Sequence, residues 1–345
     1  MVNKDIQKLN EKITAVHLPG DLTDKLNQII ARLEKISESV NFLAEYDHAA
    51  RYIDWIVSLP WDKKTDDILD LGHARQILDQ HHYGLGELKD RILEYLSVMM
   101  LNQRKPEANF RAPILLLVGL VGTGKTTIAK SIAEALGRKF VRIPFGGMGS
   151  ALDLRGQSRV HPDAEPGQII KALRNSGSNN CVILLDEIDR VAESTRSDIM
   201  GVLVELLDPG QNMNFTDHYL DFPFDLSTVM FIATCNNTTN ISTAVMDRLE
   251  PIVMPSYTDE EKTTIARDYI LPKELKVSGL PIGAIKFDEA VWPKLVRPLG
   301  FDGGIRTLER TIQGVVRKIA RLYVEGKAKS FYITLDNLKQ YLPTY

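Results

Sequence analysis

Residues 113–127 read PILLLVGLVGTGKTT, and the fold turns on this stretch. The apolar run 114–118 has the length and continuity of a buried parallel strand. After it come Gly119, Leu120, Val121, Gly122, Thr123, Gly124, Lys125 and Thr126, which fit G-x-x-x-x-G-K-[ST]. In that pattern the glycines let the backbone curl so that its N–H groups point at phosphate oxygens. The lysine reaches the β- and γ-phosphates, and the threonine hydroxyl is placed for Mg²⁺. From Thr127 to position 136 the residues are good helix formers, and the helix N-terminus would add a positive dipole end at the same spot. Strand, glycine loop and helix in succession point to a nucleoside triphosphate and Mg²⁺ site rather than a plain Gly-rich turn.

Outward from the loop, strand and helix patterns alternate. Strands are expected at 140–145, 181–185, 229–234 and 251–254, with helices at 167–175, 195–207 and 242–249 between them. Strands joined by helical crossovers give a parallel α/β sheet with its ligand at the carboxyl ends of the strands. Past 257 the pattern turns mostly helical: 259–269, 288–295 and a long helix at 304–325, then a strand-like piece at 331–335 and a last short helix. The expected division is therefore 1–60 helical, 61–112 a helical link ending in a polar stretch, 113–257 an α/β unit and 258–345 a small, mainly helical unit.

In the first segment, Leu22, Leu26, Ile29, Leu33, Ile36, Val40 and Leu43 alternate spacings of four and three. That seam suits a short coiled coil or an amphipathic helix packed on its own chain or a neighbour. Trp55 and Trp61 read as packing anchors. The adjacent His81 and His82 lack the i,i+4 spacing that would put both on one helix face for a metal.

The net charge of −3 gives no global footprint for nucleic acid or an anionic membrane. No apolar run approaches a membrane span, the start does not read as a signal peptide, and the two cysteines, Cys181 and Cys235, read as core thiols. A cytoplasmic protein is expected.

The run Cys-Val-Ile-Leu-Leu ends in Asp186-Glu187. An acid at a strand tip can hold the Mg²⁺ sphere, and a second beside it can polarise the attacking water. Asp186 is thus the candidate metal-side carboxylate and Glu187 the candidate base; Asp189 reads as a helix-capping acid. The strand ending in Ala233-Thr234-Cys235 delivers Asn236, an amide able to orient water or touch the γ-phosphate.

Loop, acid pair, strand-end Asn236, Asp247-Arg248 and Gly304-Ile305-Arg306 together resemble an AAA+ ATPase. The likeness is closest to the ATPase module of the Lon proteases. It is carried by RYIDWIVSLPW (51–61), HYGL (82–85), KDRILEYL (89–96), LLDEID (184–189), LDPGQNMNFTDHYL (207–220), YTDEEK (257–262) and IRTLER (305–310). The resemblance implies that His82 and Tyr83 lie near the adenine, that Asn236 is sensor 1 and Arg306 sensor 2. It also implies that Arg248 is the arginine finger reaching the ATP of the next subunit. A guanidinium there stabilises charge on the transferring phosphoryl group. The family assembles as a homohexamer and pulls unfolded or damaged protein through a central pore toward a Ser–Lys protease domain.

Three departures stand out. Leu120-Val121 replaces the family's usual Pro-Pro. The aromatic–aliphatic pair of the first pore loop falls on His161-Pro162, with Met213 and Phe215 as candidates for a second loop, Phe215 reading equally well as a packing residue. No counterpart of the Ser–Lys dyad is found, so the expected identity is the ATPase part of a longer Lon-type protease. The rival readings are a nucleotide-dependent switch or scaffold and a DNA-remodelling ATPase.

Overall fold

A computed structural model describes residues 2–40, 42–103, 114–297 and 303–343. The polar stretch that leads into the first strand, 104–113, lies outside the described residues.

Five parallel strands form the central sheet: β1 (Ile114–Val118), β2 (Phe140–Pro144), β3 (Val182–Asp186), β6 (Met230–Cys235) and β7 (Leu249–Val253). Their order is β2-β3-β6-β1-β7. The glycine loop therefore leaves β1 with β6 on one side and β7 on the other, and the acid pair leaves β3 on the far side of β6. Between β3 and β6 the chain makes an antiparallel hairpin, β4 (Phe215–Asp217) and β5 (Phe222–Phe224). A small parallel pair, β8 (Ile285–Phe287) and β9 (Phe331–Ile333), lies in the last part of the chain.

Side chains alternate across a strand, so the sheet has two apolar faces. Leu116, Ile183, Leu185, Phe231 and Ala233 point to one core; Leu115, Leu117, Val182, Leu184 and Ile232 point to the other. The first core is shared with three N-terminal helices, α1 (Val2–Thr14), α2 (Gly20–Lys35) and α3 (Phe42–Val57). The second takes α4 (Leu71–His81), α5 (Gly86–Gln103), α6 (Lys125–Ala135) and everything after Tyr257.

The N-terminal seam divides at the end of α2. Of its members Leu22, Leu26 and Leu33 are buried within this chain, packed among α1 and α3, Ile29 and Ile36 are half-buried, and Val40 and Leu43 are exposed. A heptad reading that runs on through position 43 fails because α2 stops at Lys35 and α3 starts afresh at Phe42. Trp61 stacks on Phe222 and Phe224 of β5, at 6.1 and 4.8 Å between ring centres, and donates its indole N–H to Ile56 O at 2.8 Å. The aromatic thus fixes the exit of α3 against the hairpin.

Two local signals mark helix starts. The Asp70 carboxylate accepts from Gly72 N and His73 N at the head of α4. Thr258 and Glu261 form a reciprocal capping box at the head of Asp259–Ile265. That helix runs beyond its expected end, through a π turn at Ala266–Ile270, into Leu271–Ser278. Pro272 has no N–H to give the preceding turn, and the wider turn accommodates it. No described helix is long and apolar enough to cross a membrane.

Candidate active site

Gly122 and Gly124 adopt φ of 84° and 97°, a region where a side chain would strain the backbone. They turn the loop so that Lys125 opens α6. The Lys125 ammonium is inside the loop, donating to Gly119 O (2.6 Å), Leu120 O (3.0 Å) and the Asn236 side-chain oxygen (3.1 Å). Burial lowers its pKa, opposed by the negative field of Asp186. Thr127 donates to Gly124 O and Thr123 to Leu120 O, so the loop is braced by its own hydroxyls. Thr126 is half-buried, while Leu120 and Val121 are exposed at the loop's outer bend.

The last part of the chain closes over this loop. Ile305 N donates to Gly122 O at 3.0 Å. A methyl group on Gly304 would come within 2.5 Å of Val121 O, so only glycine allows this approach. Arg306 is the first residue of the helix Arg306–Val324 and its Cβ abuts Gly122, with its side chain exposed. Tyr257 donates its hydroxyl to Thr123 O.

At the tip of β3 the two acids are treated differently. Asp186 is buried; it accepts from Thr234 Oγ1 at 2.5 Å and from Arg142 Nε at 2.6 Å. Glu187 is more open, with its carboxylate 3.7 Å from Arg190. Its backbone is in the left-handed region, φ 58°, uncommon for a side-chain-bearing residue. Glu187 N donates to the same Thr234 Oγ1. One hydroxyl on the neighbouring strand therefore ties the side chain of one acid to the backbone of the next. Asp189, expected as a cap, accepts from the backbone N–H of Asn236 and Asn237. Asn236 is thus held by Asp189 through its backbone and by Lys125 through its side chain. Thr234 and Arg142 are residues of this cluster that composition and spacing do not single out, and Asp189 reads there only as a cap, because each acts across strands.

On the other flank, His82 is buried, its Nε2 2.9 Å from Ser131 Oγ on α6. Burial, with the charges of His81 and Lys89, lowers its pKa to about 4. His82 therefore faces the protein, and it is Tyr83 beside it that is exposed, edge-on to Tyr269 at 6.2 Å. The two cysteines are free and buried, and burial raises the Cys235 thiol to about 12.

Arg248 is elsewhere. It precedes β7, and its carbonyl accepts from Ile114 N at the first residue of β1. The glycine loop leaves the opposite end of β1, five residues or about 16 Å away. Arg248 pairs with Asp208 at 2.9 Å and with Ala244 O at 2.7 Å. It cannot share a site with the loop of its own chain.

The loop 157–165 has a fixed base and a free tip. Gln157 N donates to Glu165 O across the base. Asp217, fully buried on β4, accepts from Gly167 N, Tyr219 N and Leu220 N. Burial raises its pKa despite those three donors. At the tip His161 and Pro162 are exposed, and Val160 beside them is 86% exposed. Met213 is also exposed. Phe215 is not: it is fully buried in the hairpin core, so in this conformation it packs and offers nothing to a passing chain.

Mg²⁺ prefers oxygen ligands and keeps several waters. The Thr126 hydroxyl and the Asp186 carboxylate suit it, and no cluster of three or more His, Cys, Asp or Glu able to hold a metal occurs among the described residues. An ion here would be shared with phosphate oxygens and water.

Residues 115–257 match the family described as ATPase family associated with various cellular activities (AAA). Residues 276–331 match the Lon protease AAA+ ATPase lid domain. The chain is 43% identical over 346 residues to Lon protease 2 of Thermus thermophilus, covering 98% of this chain and 43% of that protein. It is 42% identical over 340 residues to the Lon protease of Lawsonia intracellularis (99% and 40%). A third relative, the Lon protease of Syntrophomonas wolfei, is likewise 42% identical over 340 residues (99% and 41%). The chain spans about two fifths of the length of these relatives.

Proposed function

Because this chain is an AAA ATPase of the Lon type with its lid domain, we propose that it is the ATP-hydrolysing motor part of a Lon-type protease. In this reading the loop amides, Lys125 and Thr127 hold the phosphates, and Tyr83, seated by His82, lies against the adenine. Thr126 and Asp186 hold Mg²⁺, which when bound neutralises charge on the β- and γ-phosphate oxygens. Glu187 takes the proton of the attacking water, Asn236 orients that water, and Arg306 reaches the phosphates from the lid.

The observation that carries the reading is the convergence at three neighbouring strand ends. Lys125 bonds Asn236, Asp189 holds Asn236, and Thr234 joins Asp186 to Glu187. That wiring gives each polar group of a hydrolytic site a fixed orientation, as preorganised catalysis requires.

The position of Arg248 at the far end of the sheet supports a role in trans, on the nucleotide of a neighbouring subunit in a ring, a hexamer in this family reading. The fixed base and exposed tip of loop 157–165 support a part that pushes on polypeptide, with Val160 and His161 as its contact surface. Unfolded or damaged proteins are then the substrates, delivered to a Ser–Lys protease domain of the same cytoplasmic protein. A nucleotide switch with little turnover is the second reading, favoured by a loop tip without the aromatic–aliphatic pair.

The test is ATPase rate per subunit against protein concentration, with sedimentation on the same samples. The rate climbs as the ring assembles, rises further with unfolded protein, and in Arg248→Ala stays low at every concentration. A rate independent of assembly, or an Arg248→Ala protein that turns over normally, removes the arginine from the site. Normal assembly and nucleotide binding without stimulation by unfolded protein would favour the switch.

A further inference from the structure

Arg142 has no part in the family reading, yet it touches the most protected acid of the site. It lies on β2, which runs parallel beside β3 with Pro144 level with Asp186. Its guanidinium therefore reaches forward along the strand to the tip, where Nε donates to Asp186 Oδ2 at 2.6 Å. The other oxygen, Oδ1, is bonded by Thr234. Both oxygens of the candidate metal-side carboxylate are thus engaged by protein.

The two partners differ in their freedom. The Asp186 side chain is 5% exposed and Arg142 is 50% exposed. Thr234 is itself fully buried, on the central strand β6. A carboxylate so enclosed needs a cation or several donors, and it has no room to move. The arginine is long, half in water, and able to leave at little desolvation cost. Lys125, whose pKa feels the Asp186 charge, is committed to the glycine loop and to Asn236. Of the two cations near Asp186, Arg142 is the one that can be exchanged.

We propose that Arg142 is a placeholder cation on Asp186, displaced when a divalent ion binds with nucleotide, so that it sets the Mg²⁺ concentration that nucleotide binding requires. The inference rests on the reading of Asp186 as the metal-side acid. It makes Arg142 a positioning residue, one that keeps the carboxylate aimed at the site and competes with the ion for one oxygen. The competition is limited in size. A charge-assisted hydrogen bond is stronger than a neutral one, but half-exposure of the arginine screens it.

The experiment is equilibrium binding of a fluorescent ATP analogue to the full chain, titrated with Mg²⁺ and repeated in EDTA. In Arg142→Ala the Mg²⁺ concentration at half-maximal binding falls about three- to tenfold, as expected from losing part of one such bond, while affinity in EDTA is unchanged. Arg142→Lys, a cation without the planar fork, lies between. Melting temperature checks the fold, and Arg142→Gln, neutral and of similar reach, replaces the alanine variant if that one is unstable. A Mg²⁺ requirement that stays the same or rises overturns the proposal, since Arg142 would then be a mere neighbour or an aid to the metal. Wild-type binding that is tight yet indifferent to Mg²⁺ overturns it while leaving the nucleotide site standing. No binding under any condition removes both.

Discussion

The carboxyl end of the sheet and the loop 157–165 are both polar constructions on one domain, but they are held in different ways. At the sheet end, neighbouring strand tips bond directly to one another: Lys125 to Asn236, Asp189 to Asn236, Thr234 to Asp186. Every functional group there is placed by parallel pairing a few residues away. The loop is held from below by its own Gln157–Glu165 backbone bond and by the buried carboxylate of Asp217, some 50 residues on in sequence, and its tip is left bare. The first arrangement suits chemistry, which needs fixed atoms. The second suits contact with a changing partner, which needs a fixed stem and an open end.

Separate failure of the two regions is the way to test that contrast. Glu187→Gln removes the proposed base and keeps the shape of the side chain. Turnover should fall about a thousandfold, the middle of the range for general-base catalysis, with nucleotide binding and loop structure intact. Steady-state ATPase and equilibrium binding on the same preparation decide it, and an unchanged rate would displace Glu187 from its role.

Asp217→Ala strikes the other region. It leaves three buried N–H groups without an acceptor and should cost about 3 kcal/mol of stability, read from denaturant midpoints. Proteolytic nicking within 157–165 should increase while nucleotide affinity is kept. Loss of nucleotide affinity in a folded variant would mean that the two regions are one.

The smallest effect is on acid stability at the nucleotide flank. The unfolded chain binds a proton at His82 near pH 6.5, and the folded chain does so only near pH 4. Between those values the unfolded state holds more protons, so stability falls as pH falls. The loss is about 1–2 kcal/mol from pH 6.5 to 5, and the slope from this group fades out only above about pH 7.5, where the unfolded imidazole is neutral too. His82→Gln should flatten that part of the urea-midpoint profile. A wild-type curve already flat there would show that the ring charges freely.

The same contrast explains what the sequence reveals. The glycine loop is legible residue by residue because each demand is local: positive φ at Gly122 and Gly124, a lysine opening a helix. Strands 114–118 and 181–185 show as apolar runs because both faces of the sheet are covered. The hairpin of β4 and β5 escapes notice because three-residue strands carry no periodicity, and without the hairpin the sequence cannot choose between packing and a pore contact for Phe215. Arg142 and Thr234, and the part that Asp189 plays beyond a cap, are invisible for another reason. Their partners lie roughly 45 residues away in the chain, and only the strand order β2-β3-β6-β1 brings them together. The heptad seam misleads past Lys35 because spacing alone does not report where a helix ends.

The N-terminal helices meet the hairpin at a few strong points. Tyr52 donates its hydroxyl to Leu220 O at 2.8 Å, and Lys25 bonds both the carbonyl and the carboxylate of Asp221 at 2.7 Å. Arg159, at the foot of the loop, stacks over the Tyr52 ring at 3.7 Å. Asp217, which holds the loop, is on the same hairpin. In mechanical terms this is a strut. Force on the tip passes through the loop's foot into α2 and α3 and is spread over one face of the sheet, while the lid bears on the glycine loop from the other. If the proposed motor works as such, a tug on the tip and a movement of the lid would enter the sheet from opposite sides, with the five strands between them.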